Sequence, residues 1–473
     1  MITNGEPLLI SKLPEYLHAL SLYWIFRIWI VSEILFYLYF LYKRSTFQLK
    51  VKPQTPLNKQ QRTELFWNCV YTIKDLQSWC EGWFYYKSDH SHPSINEIKE
   101  NNLALWFAWA FWHDHLDIVR QNEEWAAEID WMIATAETWF HHSFPKGMNT
   151  NVECIRLNLD PVEAVHRPLI MYVAIYLITK LFNIIFLQWC WGFKPPQVIS
   201  TICWGGPLAL LDGFISACKN FILTTTIVPK LDPTLSYWYR PGGNETPLVF
   251  IHGIGAGVLF YAEFVFRLLA LDRPLFLVEL PYVAMHMVDK VPNSDETVKS
   301  IQEMLARHGY KNAVFVSHSL GTATTSWVMN KEPRLCAGAV LIDPICFLLH
   351  YHNVAFNFVH RIPKNFIERI IYYAASRELC ISNYISRHFQ WFESIYFNKN
   401  APFENNVSVY LSEKDSIVGS SAVHEYLLEK EINHHVMPGL EHATFLLSGK
   451  WKSAIFKQIQ HTLDKADKSI INQ

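Results

Sequence analysis

The pattern of apolar and polar positions divides this 473-residue chain into two unlike parts. Up to about residue 230 the apolar stretches are long and helical in character. From about residue 232 they are short, β-rich and separated by helical stretches. The runs PLVFIH (247–252), PLFLVEL (274–280), AVFVS (313–317), AGAVLI (337–342) and VSVYL (407–411) are almost continuously apolar. Strands of a parallel sheet look like this, because helices cover both faces and every side chain must meet an apolar layer. Between the second and third runs, SDETVKSIQEMLARHG places Val298, Ile301, Met304 and Leu305 at helical spacing, with Gly309 suited to the position just past the helix end. Strands alternating with helices predict an α/β domain with a mainly parallel sheet.

The first part reads differently. Residues 16–42, YLHALSLYWIFRIWIVSEILFYLYFLY, form an apolar run longer than the roughly 20 residues that span a bilayer core. It carries Arg27 and Glu33, which are costly at the bilayer centre. The run is too long for a cleaved signal peptide and lacks a small-residue cleavage site, so it predicts a spanning or deeply inserted helix. Lys43, Arg44, Lys50 and Lys52 follow it, against Lys12 alone before it, which places the downstream chain on the cytoplasmic side. Residues 60–160 read as helical and tryptophan-rich, and Ser94 with Glu97 forms a capping-box pattern that predicts a helix start.

A second apolar run covers 169–193, interrupted by Lys180 and Asn183, and a weaker third covers 198–223. A single crossing would move the following domain to the other side of the membrane. A re-entrant hairpin or an interfacial helix pair would not, and that reading is preferred. The expected division is a membrane anchor at 1–50, a helical region at 51–165, an apolar membrane-associated or hairpin segment at 166–230, and an α/β domain at 231–473 with a cap at about 344–406.

Composition sharpens this picture in three ways. Hydrophobic residues reach 50% against 18% charged, which suits a membrane-associated chain with membrane lipid as a partner. A formal net charge of −2 gives no electrostatic footprint for nucleic acid. The nine cysteines are odd in number and contain no C-x-x-C pair, which argues against a disulfide framework or a zinc site and for a reducing compartment. The expected location is therefore an internal membrane, such as the endoplasmic reticulum, with the α/β domain cytoplasmic. Two sequons, at Asn244 and Asn406, carry little weight.

The chemistry concentrates in the α/β part. Ser317-His318-Ser319-Leu320-Gly321 follows the strand AVFV and precedes a helical stretch, the strand–turn–helix setting of a nucleophile elbow. The tight turn needs small residues on either side of the serine. Gly321 matches, whereas Ser317 stands where glycine is usual. Asp415, after VSVYLSEK, and His442, in PGLEHATF, complete the chain order serine, acid, histidine. Asp343, at the end of AGAVLID, is the alternative acid. His113-Asp114-His115 has metal-binding atoms, but on a helix the two histidines point to different faces, so no metal site is expected.

From about 234 to 465 the sequence resembles the α/β-hydrolase superfamily, through HGIGAG (252–257), SHSLG, the SEKD loop and the GLEHATF loop. It also looks similar to membrane-associated fungal and protist hydrolases in which a helical N-terminal half precedes the core. The resemblance implies Ser319 as nucleophile, His442 as base, Asp415 as orienting acid, and the backbone N–H groups of Ile254 and Leu320 as an oxyanion hole. It implies no cofactor. The expected activity is cleavage of a lipid or other acyl ester. The alternatives are an acyltransferase using the same acyl-enzyme, and an inactive scaffold or lipid-binding protein, which Ser317 keeps open. The aromatic residues of the 344–406 insertion fit either an acyl-chain pocket or ordinary cap packing.

Overall fold

The computed structural model describes residues 13–51, 56–194, 204–222, 235–243, 245–397 and 406–471. Lys12, Lys52, Asn244, the start of the third apolar run and the last residues of the insertion before Asn406 lie outside them.

Each of the five apolar runs is a strand of one sheet: β4 (Leu248–Ile251), β5 (Leu275–Glu279), β6 (Ala313–His318), β7 (Cys336–Ile342) and β8 (Val407–Ser412). Two further strands close its edges, β3 (Ser236–Arg240) and β9 (Asn433–Met437). The order is β3-β5-β4-β6-β7-β8-β9, with β3 antiparallel to β5 and every other pairing parallel. The central strands are buried on both faces, whereas β9 alternates between exposed and covered positions. An edge strand covered on one side has no need of a continuous apolar run. That is why NHHVM gives only a weak β signal, whereas β3, SYWYR, is mostly buried but offers only three apolar residues between Ser236 and Arg240 and gave none that stood out. A separate two-stranded ladder, β1 (Phe84–Tyr86) with β2 (Val152–Cys154), lies in the N-terminal region.

Eight helices matter for the site: α1 (Leu13–Thr46), α2 (Lys59–Thr72), α3 (Glu123–Phe140), α4 (Leu169–Phe182), α5 (Gly206–Ile222), α6 (Ser294–Arg307), α7 (Gly321–Lys331) and α8 (Gly449–Ile471). The expected helix between β5 and β6 is α6. The Asn293 side chain accepts from Glu296 N–H while Glu296 accepts from Asn293 N–H, a reciprocal cap. In α8, Ile455, Ile459, Leu463 and Ala466 recur at helical spacing and are all buried in the core beneath the sheet. The start expected at Ser94 is only a 3-10 turn, Ile95–Glu97. Ile98 then takes an extended, fully buried conformation, and the α-helix begins at Glu100. Burying Ile98 outweighs the local capping signal.

The helical N-terminal region shares one core with the sheet and the insertion. Trp79, Trp83, Trp106 and Trp109 belong to the same buried cluster as Val249, Ile251 and Phe315. The indole N–H groups of Trp79 and Trp83 both donate to the His350 carbonyl, at 2.7 and 2.9 Å. Trp391 donates across to the Ala110 carbonyl at 3.2 Å. The insertion is thus clamped from outside as well as attached to the sheet.

α1 and the stretch Leu169–Cys190 are each long and apolar enough to cross a membrane, by length and composition. Little of either is buried, 11% and 22% of their most apolar windows. Glu33 accepts from the first N–H groups of α4, Leu169 at 2.8 Å and Ile170 at 3.2 Å. Its charge therefore meets the positive end of a helix. Lys180 of α4 pairs with Asp212 of α5 at 2.6 Å.

Arg62 of α2 and Glu128 of α3 form a buried bidentate pair, with bonds of 2.9 and 2.7 Å. Glu128→Ala leaves the guanidinium enclosed and uncompensated, so the expected loss of unfolding free energy is about 3–5 kcal/mol. Denaturant unfolding in detergent measures it. A loss near zero would mean that the helical region does not depend on this pair.

Candidate active site

The turn after β6 sets the geometry. Ser319 has φ of 51°, in the left-handed region, between the end of β6 at His318 and the first residue of α7, Gly321. Such a backbone turns sharply and holds the side chain out over the carboxyl ends of the strands. Ser319 N–H donates to the Ile342 carbonyl of β7 at 3.0 Å, which pins the turn to the sheet. A Cβ on Gly321 would stand 2.5 Å from the Ile251 carbonyl and 2.7 Å from that of His252, so only glycine lets α7 start this close to β4. Ser317, two residues before the serine, is different. It lies inside β6, fully buried, and its hydroxyl accepts a 2.9 Å bond from Thr325 of α7. The turn has room for its side chain.

The structure brings Ser319, His442 and Asp415 together. His442 Nδ1 lies 2.7 Å from Asp415 Oδ2, and its Nε2 lies 2.8 Å from Ser319 Oγ. With Nδ1–H donating to the carboxylate, Nε2 is left as the acceptor for the serine hydroxyl. Asp415 is itself fixed, since Oδ1 accepts from Ile417 and Val418 N–H at 2.8 and 2.9 Å. Burial alone would lower the His442 pKa, but Asp415, by charge and hydrogen bond, and Asp343, by charge, together raise it above its usual 6.5.

Asp343 occupies another place. It is fully buried, with φ of 43°, and accepts from Ser412 N–H at 2.8 Å and Ala443 N–H at 3.0 Å. No hydrogen bond joins it to His442 among the described residues. It ties the end of β7 to β8 and to the His442 loop. Burial pushes its pKa up, but His318, His442 and the Ala443 N–H outweigh this and hold it below the usual value.

Ile254 and Leu320 both line the cavity beside Ser319, and their backbone N–H groups have no backbone acceptor among the described residues. Three groups that the sequence did not single out stiffen this side. Tyr261 hydroxyl accepts from Gly253 N–H at 3.0 Å and meets His318 Nδ1 at 2.7 Å. The other ring nitrogen of His318, Nε2, faces Asp343 at 3.7 Å. His252 Nε2 accepts from Leu280 N–H at 3.0 Å, and burial lowers its pKa to about 4. Both histidines stand inside the motifs, but their partners are 28 and 57 residues away in the chain. His113 lies elsewhere, buried against the Phe392 ring, and Asp114 pairs with Lys50 at 2.5 Å.

The cavity at Ser319 has a volume of about 350 Å³ and an almost wholly apolar lining. Phe358, Ile371 and Phe389 of the insertion contribute to it, together with Met285 and Leu157. Other aromatics of the insertion do structural packing: Tyr384 against Tyr282, and Tyr396 against Phe347. The aromatic residues of the insertion are thus divided between the cavity lining and ordinary packing.

Residues 246–434 match a family model described as the alpha/beta hydrolase fold. The C-terminal half of this chain has the α/β-hydrolase fold. No curated protein matches the sequence. Solved structures similar to the hydrolase domain include a carboxylesterase of Nitrososphaera gargenis (14% identity, 49% of this chain and 96% of that one, TM-score 0.37). A monoacylglycerol lipase of Paleococcus ferrophilus is also similar (15%, 48% and 99%, 0.36). So is a meta-cleavage product hydrolase of Pseudomonas fluorescens (16%, 49% and 95%, 0.36).

Asp343→Ala leaves two buried N–H groups without acceptors, at about 1–3 kcal/mol each. The expected result is a clear fall in melting temperature in detergent, with a smaller fall for Asp343→Asn, which keeps one acceptor oxygen. Equal melting of wild type and Asp343→Ala would remove Asp343 from its tethering place.

Proposed function

We propose that the protein is a membrane-bound serine hydrolase that cleaves esters of apolar acyl chains. The observation that supports this best is the bonded series Ser319–His442–Asp415 at the mouth of an apolar cavity. Ser319 Oγ attacks the acyl carbonyl while its proton passes to His442 Nε2. The negative charge on the carbonyl oxygen is met by the N–H groups of Ile254 and Leu320, each worth roughly 2.7–4 kcal/mol in sites of this kind. The C–O bond to the alcohol then breaks, and His442 returns the proton to the leaving oxygen. Water, deprotonated by His442, attacks the acyl-serine; the C–Oγ bond breaks, His442 returns the proton to Ser319 Oγ, and the acid is released. Asp415 holds the imidazole in the needed tautomer and balances its transient charge.

The substrate reading rests on the cavity. Its lining offers no charged group to recognise a polar acyl part, whereas Phe358, Ile371 and Phe389 offer a surface for a hydrocarbon chain. The accommodated Ser317 side chain removes the crowding that would favour an inactive scaffold. The exposed apolar helices support a membrane-resident lipid ester, and Lys43 and Arg44 at the end of the first of them support a cytoplasmic catalytic domain at an internal membrane.

Fluorophosphonate labelling of the protein in vesicles tests the chemistry. Wild type becomes labelled, Ser319→Ala does not, and His442→Ala reacts far more slowly. Ester turnover in either variant falls by a factor on the order of 10⁶. A folded wild-type protein that resists the probe would count against the proposal.

The pH profile gives a second check. Only neutral His442 accepts the serine proton, so kcat/KM rises with pH as His442 loses its own proton. Because its pKa is raised, the midpoint lies above 6.5. Asp415→Asn removes the bonded charge that raises it, so residual activity rises at lower pH. An unshifted midpoint in Asp415→Asn would speak against the pairing of these two groups.

A further inference from the structure

Two walls of the cavity are fastened to the apolar helices. One is the cap segment 366–376, whose Ile370, Ile371 and Ala375 line the cavity. Arg167, just before α4, donates from Nε to the Tyr373 carbonyl at 2.8 Å. Val165 N–H donates to the Arg377 carbonyl at 3.0 Å, and Tyr172 of α4 donates to the buried Glu378 carboxylate at 2.7 Å. The other wall is the segment after β5, which contributes Met285. Gly205, just before α5, donates to the His286 carbonyl at 2.8 Å, and Trp204 stacks on the His286 ring at 3.7 Å. Lys43 of α1 pairs with Asp289.

The outer side of these helices is bare. α4 and its continuation to Cys190 lie along the hydrolase domain. Phe182 and Leu187 are in the core with Trp238 and Phe250, while Ile178, Leu181 and Trp189 face outward, Trp189 at 77% exposure. Further exposed aromatic residues lie beyond it. Trp191 packs on both Phe186 and Phe266, at 5.8 and 6.0 Å between rings. Phe266 is exposed, and so is Phe260, which lines the cavity mouth. Across the cavity, Phe366 and Ile370 of the cap segment are exposed as well. Large apolar side chains exposed in this number beside a cavity mark an interaction site. Its occupant follows from α4 and its continuation, which carry Trp189 and, like α1, have the length and composition of a membrane segment.

We infer that this face, from Trp189 across Phe266 and Phe260 to Phe366, lies on the bilayer, and that a membrane-resident acyl ester passes directly from the lipid into the cavity between Phe260 and the 366–376 segment. The passage of substrate rests on the serine-hydrolase reading above; the contact of this face with lipid does not.

The test uses full-length protein in phosphatidylcholine vesicles containing a radiolabelled phosphatidylcholine tracer. The photo-crosslinking residue p-benzoylphenylalanine replaces Trp189, Phe366 or, as an exposed apolar control away from this face, Leu428. Irradiation is expected to attach lipid at 189 and 366 at least fivefold more than at 428. Labelling at 366 no higher than at 428 would overturn the docking face. For the passage, Trp189→Ser/Phe366→Ser is compared with wild type on two substrates. Hydrolysis of a long-chain ester embedded in the vesicles is expected to fall more than tenfold, and hydrolysis of soluble p-nitrophenyl butyrate to stay within twofold. Equal rates on the embedded ester, or equal falls on both, would overturn the direct route. If wild type hydrolyses neither ester, the hydrolase reading fails, and with it the passage, while the crosslinks still decide the docking face.

Discussion

One tight turn governs the site. Ser319 sits in the left-handed region because β6 must end, reverse and start α7 within a few residues, directly above β4. A non-glycine residue held there costs energy, and it persists only where the surroundings over-determine it. Here they do. The Ile342 carbonyl holds Ser319 N–H, Gly321 allows the helix to press on the Ile251 carbonyl, and Thr325 bonds to Ser317 across the turn. The same turn fixes how far His442 must reach. It does so from a loop whose Ala443 N–H is tethered to Asp343, and Asp343 in turn holds the start of the next loop through Ser412. Two carboxylates thus share the work around one imidazole: Asp415 bonds to it, and Asp343 positions the loops that carry it.

The second feature is that the cap is not a free-standing lid. Its segments are held by tryptophan N–H groups from the helical region, by Arg387 bonds to the Phe47 and Asp160 carbonyls, and by the apolar helices through Arg167. Each bond to a buried carbonyl satisfies a group that would otherwise cost free energy in an apolar core. The consequence is a cavity with walls drawn from three parts of the chain, the sheet loops, the insertion and the N-terminal half. Its apolar character follows from where it lies, between layers of buried aromatic and aliphatic side chains.

Polar residues within apolar helices have specific partners here. Glu33 is costly in hydrocarbon, yet it meets the N-terminal N–H groups of α4. Lys180 and Asp212 satisfy each other between α4 and α5. The Arg27 guanidinium lies over the Tyr23 ring at 4.3 Å. The first two of these contacts join the apolar helices to one another.

The sequence by itself determined the sheet and marked the residues of the candidate site. Buried parallel strands need apolar side chains on both faces, so β4 to β8 stood out as continuous runs. The motifs around Ser319, Asp415 and His442 could be found because tight turns restrict residue type locally. What lies at the sheet edges was less legible, since β9 is covered on one side and β3, though mostly buried, has only three apolar residues between Ser236 and Arg240. The sequence left Asp415 and Asp343 as rival acids, because both follow strands and spacing does not encode which carboxylate reaches an imidazole. Tertiary structure decided that by placing Asp415 at 2.7 Å from Nδ1 and giving both Asp343 oxygens to backbone N–H groups. It also decided the roles of Tyr261 and His318, the division of the aromatic insertion between cavity and packing, and the partner of Glu33. Each of these depends on a contact between residues far apart in the chain, and side-chain type restricts such contacts far less than it restricts a turn or a strand.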